Sequence, residues 1–153
     1  MTDVKTNATL LAQNLISYRG SHSPQAMKEM MDKLEAYVIS NGAKKLGQKI
    51  TAVYSSDPMA GTTDVEVFFA IDSAVPTAEP FIFASELIVD DCLMVKYKGN
   101  PRQAMGAFDA LAKKSADLGR KAKQPVYNVM NGDIDPSDVS NFEMTFYMPL
   151  EEQ

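Results

Sequence analysis

Polar side chains that could recognise or transform a small molecule alternate along the last apolar stretch of the chain. Residues 143–147 read Glu-Met-Thr-Phe-Tyr. Because successive side chains of a strand point to opposite faces, Glu143, Thr145 and Tyr147 are expected to share one face. An acid beside aromatic rings attracts a cation by its charge and through the ring faces, so the pattern predicts a site for an apolar or cationic small molecule. The intervening apolar side chains are expected to pack against a helix: Met144, Phe146 and Met148.

The same acid also permits a catalytic interpretation. The general base of a hydrolase is commonly a carboxylate in an apolar pocket, where desolvation favours the protonated form. Glu143 is the candidate base for adding water to a strained electrophile, and Tyr127 or Tyr147 would donate a hydrogen bond to the leaving oxygen. The residue spacing supports no Ser-His-Asp, Cys-His or metal-ligand chemistry, so neither a metal nor another cofactor is expected. In a third interpretation Glu143 points to solvent at the start of an edge strand.

Size and charge exclude several classes of function. The chain has 153 residues, 45% hydrophobic and 23% charged, as in an ordinary soluble protein of one domain or two closely packed halves. The formal net charge of −5 argues against nucleic acid as a partner. No apolar run is long enough to span a membrane, and the first residues are too polar for a signal peptide. A cytoplasmic location is expected, and the lone Cys92, in an apolar run, is expected to be buried and inert.

Two stretches of the chain are nearly the same. Residues 18–27 read Tyr-Arg-Gly-Ser-His-Ser-Pro-Gln-Ala-Met, and residues 97–105 read Tyr-Lys-Gly-Asn-Pro-Arg-Gln-Ala-Met. Each ends an apolar run, breaks at a glycine, and continues through a capping residue and a proline into a helical pattern. Tyr97 follows Tyr18 by 79 positions. Neither copy has the glycines or the lysine of a phosphate-binding loop, so both are interpreted as turns from a strand into a helix.

The elements around these turns repeat as well, in the order strand, helix, strand, strand. The pair Val126-Tyr127 of the second copy is matched with Val53-Tyr54 of the first. Self-similarity at a fixed offset defines an architecture before any single element does. We therefore predict two repeats, at about 1–75 and 80–153, within a single domain that spans residues 1–153.

Two such units joined edge to edge would form one curved antiparallel sheet with both helices on one face, which is an α+β fold. The opposite face would be a concave trough across the join. Tyr147 follows Phe69 by 78 positions, so the equivalent trough residues of the first repeat are predicted to be Val65, Val67 and Phe69. The trough would then be aromatic and aliphatic, with an acid, Glu143, in the second repeat alone.

Three local features of the chain are also expected. The first strand is predicted to break or bulge at Gln13-Asn14, and Asp90-Asp91 is predicted to form a turn between strands at 81–89 and 92–97. The one histidine, His22, is expected in a loop before a helix. There it would be a solvated surface residue and not a haem ligand.

The order of the elements resembles the GyrI-like family of effector-binding domains, within the wider SOUL haem-binding superfamily. The likeness rests on the Tyr-x-Gly before each helix, the Val-Tyr strand with its Asp/Pro loop, and the closing strand that ends Met148-Pro149-Leu150. The resemblance implies a concave site for lipophilic or cationic compounds. In some stand-alone members it also implies hydrolysis of reactive cyclopropane-bearing toxins. A further implication is an effector module without a DNA-binding segment.

The predicted ligand-binding side chains come from the trough and from the two turns. They are Tyr18, Tyr54, Phe69, Tyr97, Tyr127, Glu143, Thr145 and Tyr147. Members of the family commonly carry glutamate at the position of Thr145, and here Glu143, one pleat earlier, would replace it. A different class of function is also open: the acidic surface suits a basic protein partner bound through the trough or an exposed sheet edge.

Overall fold

The computed structural model describes residues 4–57, 59, 61–78, 81–99, 105–123, 125–131 and 143–151. Its elements, in chain order, are β1 (Val4–His22), α1 (Pro24–Ser40), β2 (Lys45–Asp57), β3 (Thr62–Ile71), β4 (Ile82–Lys98), α2 (Met105–Asp117), β5 (Val126–Asn131) and β6 (Glu143–Pro149). The order is strand, helix, strand, strand, twice over. The α+β class and the duplicated unit are therefore confirmed. Neither helix in the described ranges has the length and apolar character needed to cross a bilayer.

The chain forms two compact units. The first unit comprises Leu11–Leu87, and the second comprises Met1–Leu10 together with Ile88–Gln153. The boundaries fall inside β1 and β4, because each of these long strands begins in one unit and ends in the other.

The strands of each unit pair in the same order. In the first unit β3 lies between β1 and β2, and in the second unit β6 lies between β4 and β5, with every one of these pairings antiparallel. The registers also correspond. Arg19 of β1 lies opposite Glu66 of β3, and Lys98 of β4 lies opposite Glu143 of β6. The structure thus makes Glu66 the equivalent of Glu143.

The helix-facing core of each unit decides which side chains share a face. In the second unit, Met144, Phe146 and Met148 are buried in the cluster that contains Leu111 of α2, as predicted. The first unit has the corresponding cluster around α1. Its buried members include Ile16, Tyr18, Leu34, Val38 and Ile71, and Phe69 packs against them.

The predicted position of Phe69 on the face away from the helix is therefore wrong. Because the side-chain period of a strand is two, an error of one residue in matching the repeats moves every side chain to the opposite face. The residues of β3 that alternate with Phe69 are Asp64, Glu66, Phe68 and Ala70. These four lie on the face away from α1.

Two local predictions concern the interior of the long strands. β1 does not break at Gln13-Asn14, since it runs from Val4 to His22, but Asn14 adopts a φ of 54° there. The turn at Asp90-Asp91 is wrong, because β4 continues through it from Ile82 to Lys98. Asp91 instead adopts a φ of 58° inside the strand, a conformation that short polar residues tolerate better than others.

Other local predictions concern single residues. Ser23 caps α1 as expected, with its Oγ accepting a hydrogen bond from the Ala26 backbone N–H at 3.3 Å. His22 is the last residue of β1 and does not lie in a loop. Cys92 is fully buried as expected, and burial raises the pKa of its thiol to about 11. The predicted cap of the second helix, Asn100-Pro101, lies outside the described residues.

Candidate ligand-binding site

The acid on which the sequence prediction depends, Glu143, lies in water. Its side chain is 71% exposed, and its Oε1 lies 3.7 Å from Nζ of Lys98, which is itself 61% exposed. A general base that depends on desolvation needs apolar surroundings. The expectation of a desolvated Glu143 is wrong, and with it the basis for a hydrolase that uses this residue is lost.

Four predicted residues do share one face of the second unit. Glu143, Thr145 and Tyr147 alternate along β6, and Tyr127 of β5 lies opposite Tyr147. Tyr127 is buried and Tyr147 partly so, and desolvation raises the pKa of Tyr147.

A cavity of about 280 Å³ lies at the Glu143 end of this face. Lys96 and Lys98 of β4 line it together with Val129, Glu143 and Thr145. Two ammonium groups and one carboxylate give its charged lining a net positive charge. Such a lining repels a cation, which is the opposite of what the sequence predicted for this face.

Three other predicted ligand-binding residues pack toward the helices. Tyr18 is buried in the α1 cluster, where its ring centroid lies 6.2 Å from that of Phe81. Phe69 packs against the same cluster, and Tyr97 packs against the α2 cluster. Tyr97 also lines the cavity beside Glu143 and Thr145, so the structure brings these three predicted residues together. Tyr18 and Phe69 belong to the first unit and are not part of that cavity.

An acid that the sequence analysis missed lies on the face of the first unit that points away from α1. Glu66 is partly buried and accepts two side-chain hydrogen bonds. Tyr54 Oη donates to its Oε1 at 3.2 Å, and Ser17 Oγ donates to its Oε2 at 3.2 Å. Ser17 is only 2% exposed, and its hydroxyl proton is shared with the Ile82 carbonyl at 3.3 Å. The Glu66 carboxylate is thus held in a fixed orientation by hydroxyl groups.

The ring of Tyr54 carries a cation on its face. Cζ of Arg19 lies 3.6 Å from the ring centroid. Nε and Nη2 of Arg19 also donate to the two carboxylate oxygens of Asp64, at 3.4 and 3.3 Å. These hydrogen bonds are the main cause of a raised pKa of Arg19. Burial, followed by the negative charge of Glu66, raises the pKa of the Tyr54 phenol.

The position of Tyr54 follows from a β-bulge in β2. The register between β2 and β3 shifts between Val53 and Ser55, so Tyr54 is the extra residue. Bulges re-aim a side chain relative to a regular strand, and here the ring meets both Arg19 and Glu66. We call the five residues of this arrangement the Glu66 cluster: Ser17, Arg19, Tyr54, Asp64 and Glu66.

Buried apolar side chains continue the face beside the Glu66 cluster. Phe68 follows Glu66 by one pleat and lies between Ile50 of β2 and Ser17 of β1 in the register. Ile50 is fully buried and Phe68 is 7% exposed. Two acids and an aromatic ring are components of a site for an organic cation, and the apolar side chains beside them form its buried support. Among the described residues, no group of three or more His, Cys, Asp or Glu side chains could hold a metal ion.

No protein-family model and no curated protein matches the sequence. Solved structures do match it. EcmrR in a complex with DNA has a TM-score of 0.71 and 14% identity over 100% of this chain, which spans 58% of the EcmrR chain. The separate EcmrR C-terminal domain has a TM-score of 0.69 and 14% identity, with 100% of this chain and 98% of that domain covered. The chain has the fold of the EcmrR C-terminal domain.

Two further structures share this EcmrR-like fold. A hydrolase encoded by lin2189 from Listeria innocua has a TM-score of 0.66 and 9% identity, with 98% of this chain and 91% of that chain covered. SAV2435, whose structure contains bound tetraphenylphosphonium, has a TM-score of 0.53 and 11% identity, with coverage of 99% and 94%. These likenesses show the fold of the EcmrR C-terminal domain, in agreement with the effector-binding fold that the sequence resemblance implied.

Proposed function

We propose that this protein binds apolar organic cations and that the Glu66 cluster receives the cationic centre. The observation that carries the proposal is the Arg19 guanidinium on the face of Tyr54, bonded to Asp64 and close to Glu66. A cation of the chain itself is held there by a ring face and by carboxylates. A ligand cation would be held by the same two interactions.

Charge favours the first unit over the second for this role. The Glu66 cluster contains two carboxylates and one guanidinium, whereas the cavity beside Glu143 contains two ammonium groups and one carboxylate. A cation is therefore attracted to the first set and repelled by the second.

The apolar part of the ligand would lie against the Tyr54 ring and extend toward the exposed edge of Phe68. Apolar walls with a few oriented polar groups are the usual composition of a small-molecule site. The structure of SAV2435 with tetraphenylphosphonium supports this choice of ligand class, because that protein has the same fold and binds an aryl cation.

The test is a calorimetric titration of tetraphenylphosphonium into the wild-type protein, Glu66→Gln and Glu143→Gln. The two variants remove one negative charge each, at equivalent positions of the two units. Glu66→Gln should weaken binding by about tenfold or more, because it removes the oriented carboxylate next to the cation. Glu143→Gln should change the affinity by less than about twofold, because an exposed charge contributes little.

Two results would refute the proposal. One is the absence of binding by the wild-type protein and by variants of the cluster alike. The other is an equal loss of affinity in Glu66→Gln and Glu143→Gln, which would show that only the net charge of the protein matters.

A further inference from the structure

We infer that Arg19 is a specificity-determining residue that competes with the ligand cation for the face of Tyr54. The inference rests on the proposed function and adds a regulator to the same site. Because the guanidinium lies 3.6 Å from the ring centroid, no second cation can occupy that face at the same time. Every cation that binds there must first displace Arg19.

The structure shows that this displacement is feasible. The Arg19 side chain is 50% exposed, and the two hydrogen bonds to Asp64 are long, at 3.3 and 3.4 Å. Exposed ion pairs and exposed cation–ring contacts are each weak. The guanidinium can therefore swing toward solvent and stay near Asp64, and the ring of Tyr54 and the carboxylate of Glu66 become available to a ligand.

Competition by Arg19 sets a minimum affinity that a ligand cation must reach before it can bind. A small hydrophilic ammonium ion offers the ring and the acids nothing that the guanidinium does not already supply. An aryl or alkyl cation additionally buries its own apolar surface against the ring of Tyr54, and this burial offsets the loss of the Arg19 contacts. Arg19 therefore selects apolar cations over hydrophilic ones by raising the affinity that any cation must reach.

The second unit supplies a matched control. Lys98 occupies the register position of Arg19 and lies opposite Glu143. Within the described ranges, the cations that lie over a ring are Arg19 and Lys45. Arg19→Gln and Lys98→Gln each remove one positive charge. Their difference isolates the competition at the ring from the general attraction of a more acidic protein for a cation.

The test is a titration of tetraphenylphosphonium into the wild type, Arg19→Gln, Arg19→Lys and Lys98→Gln, with circular dichroism melts to verify folding. Arg19→Gln should tighten binding by roughly tenfold, since one cation–ring contact and one exposed ion pair no longer compete. Arg19→Lys should lie between Arg19→Gln and the wild type, because an ammonium group lacks the planar face that stacks on the ring. Lys98→Gln should stay within about twofold of the wild type.

The outcomes separate this inference from the proposed function. If the wild type binds, Glu66→Gln weakens binding and Arg19→Gln leaves it unchanged, the site stands and the role of Arg19 is refuted. If Arg19→Gln and Lys98→Gln tighten binding equally, the effect is one of net charge, which also refutes the role of Arg19. If only Arg19→Gln binds measurably, both proposals are supported. If none of the proteins binds, both fail. Should Arg19→Gln unfold, Arg19→Lys still decides, because a tighter complex is expected from it as well.

Discussion

The two units carry the same pair of opposite charges in the same register, yet they use it differently. In the first unit Arg19 lies opposite Glu66, and in the second Lys98 lies opposite Glu143. Glu66 is partly buried and accepts hydrogen bonds from Tyr54 and Ser17. Glu143 is 71% exposed, with the Lys98 ammonium 3.7 Å away. The repeat preserves the charges, but among the described residues it is Glu66 whose carboxylate accepts hydrogen bonds from hydroxyl groups.

The neighbours of the two pairs explain this difference. The register position of Ser17, opposite Phe68, is taken in the second unit by Lys96, opposite Thr145. A buried hydroxyl that orients an acid is thus replaced by an exposed ammonium group. The comparison reverses the asymmetry predicted from the sequence, in which the second repeat alone kept an acid on this face. The acid that suits a ligand site lies in the first repeat.

The largest expected effect is a loss of thermal stability, and it concerns a second Arg–Asp pair, which lies in the second unit. Arg120 of the second unit is 17% exposed, and its guanidinium donates to the Asp91 carboxylate and to the Glu151 carbonyl. Arg19 and Asp64 form the exposed counterpart. Shielded charged hydrogen bonds stabilise a fold more than exposed ones do, so Arg120→Ala should lower Tm by about 4–8 °C. Arg19→Ala should lower it by less than about 2 °C.

Differential scanning calorimetry of both variants decides this point. Equal shifts in Tm would show that the two pairs contribute alike, and the distinction between a structural pair in the second unit and a displaceable pair in the first would then be lost.

The stabilisation by Arg120 should also depend on pH. Its hydrogen bonds are the main cause of a lowered pKa of Asp91 in the folded protein. A carboxyl group with a lowered folded-state pKa stabilises the fold above its unfolded pKa, and this contribution is lost as the pH falls through the folded pKa. The difference in Tm between the wild type and Arg120→Ala should be full at pH 7 and should shrink below about pH 4. A constant difference down to about pH 2.5 would contradict this origin.

Smaller effects are expected from the ring at the ligand site. Tyr54→Leu removes the aromatic face and should weaken tetraphenylphosphonium binding by roughly fivefold, the scale of one cation–ring contact. Tyr54→Phe keeps the face and loses only the hydrogen bond to Glu66, so the change should stay within about threefold. Tyr147→Leu, in the second unit, should have no measurable effect on calorimetric titrations. A loss in Tyr147→Leu as large as in Tyr54→Leu would move the site to the second unit.

Much of the fold could be predicted from the sequence because its signals are local. The capping residue Ser23, the proline after it and the apolar periodicity define α1. Alternation in β6 was enough to place Met144, Phe146 and Met148 against the second helix. The repeated order of elements was enough to predict two β-α-β-β units.

The site was missed because its position depends on which face of β3 each side chain is assigned to. The faces of β3 were assigned by counting 78 positions back from Tyr147. In the structure, the equivalent residues Arg19 and Lys98 are 79 positions apart, and Glu66 and Glu143 are 77 positions apart. No single offset describes both strands. The rule that worked for β6, that the wholly apolar set faces the helix, would have placed Val65, Val67 and Phe69 inward and found Glu66.

Other properties of the site depend on contacts between distant segments, which no local pattern contains. The bulge that aims Tyr54 is visible only in the register between β2 and β3. The exposure of Glu143 likewise depends on what packs around the end of β6. Arg19 of β1 stacks on the ring of Tyr54 in β2, which is 35 positions away along the chain. This contact requires β3 to pair with both β1 and β2.

The most direct test of the central claim is to locate a bound cation by NMR. Intermolecular nuclear Overhauser effects would be measured between the phenyl protons of tetraphenylphosphonium and the assigned protein. The account predicts contacts to the rings of Tyr54 and Phe68, together with shifts of the Arg19 guanidinium signals. Contacts to Tyr147 and Thr145 with none to Tyr54 would contradict it.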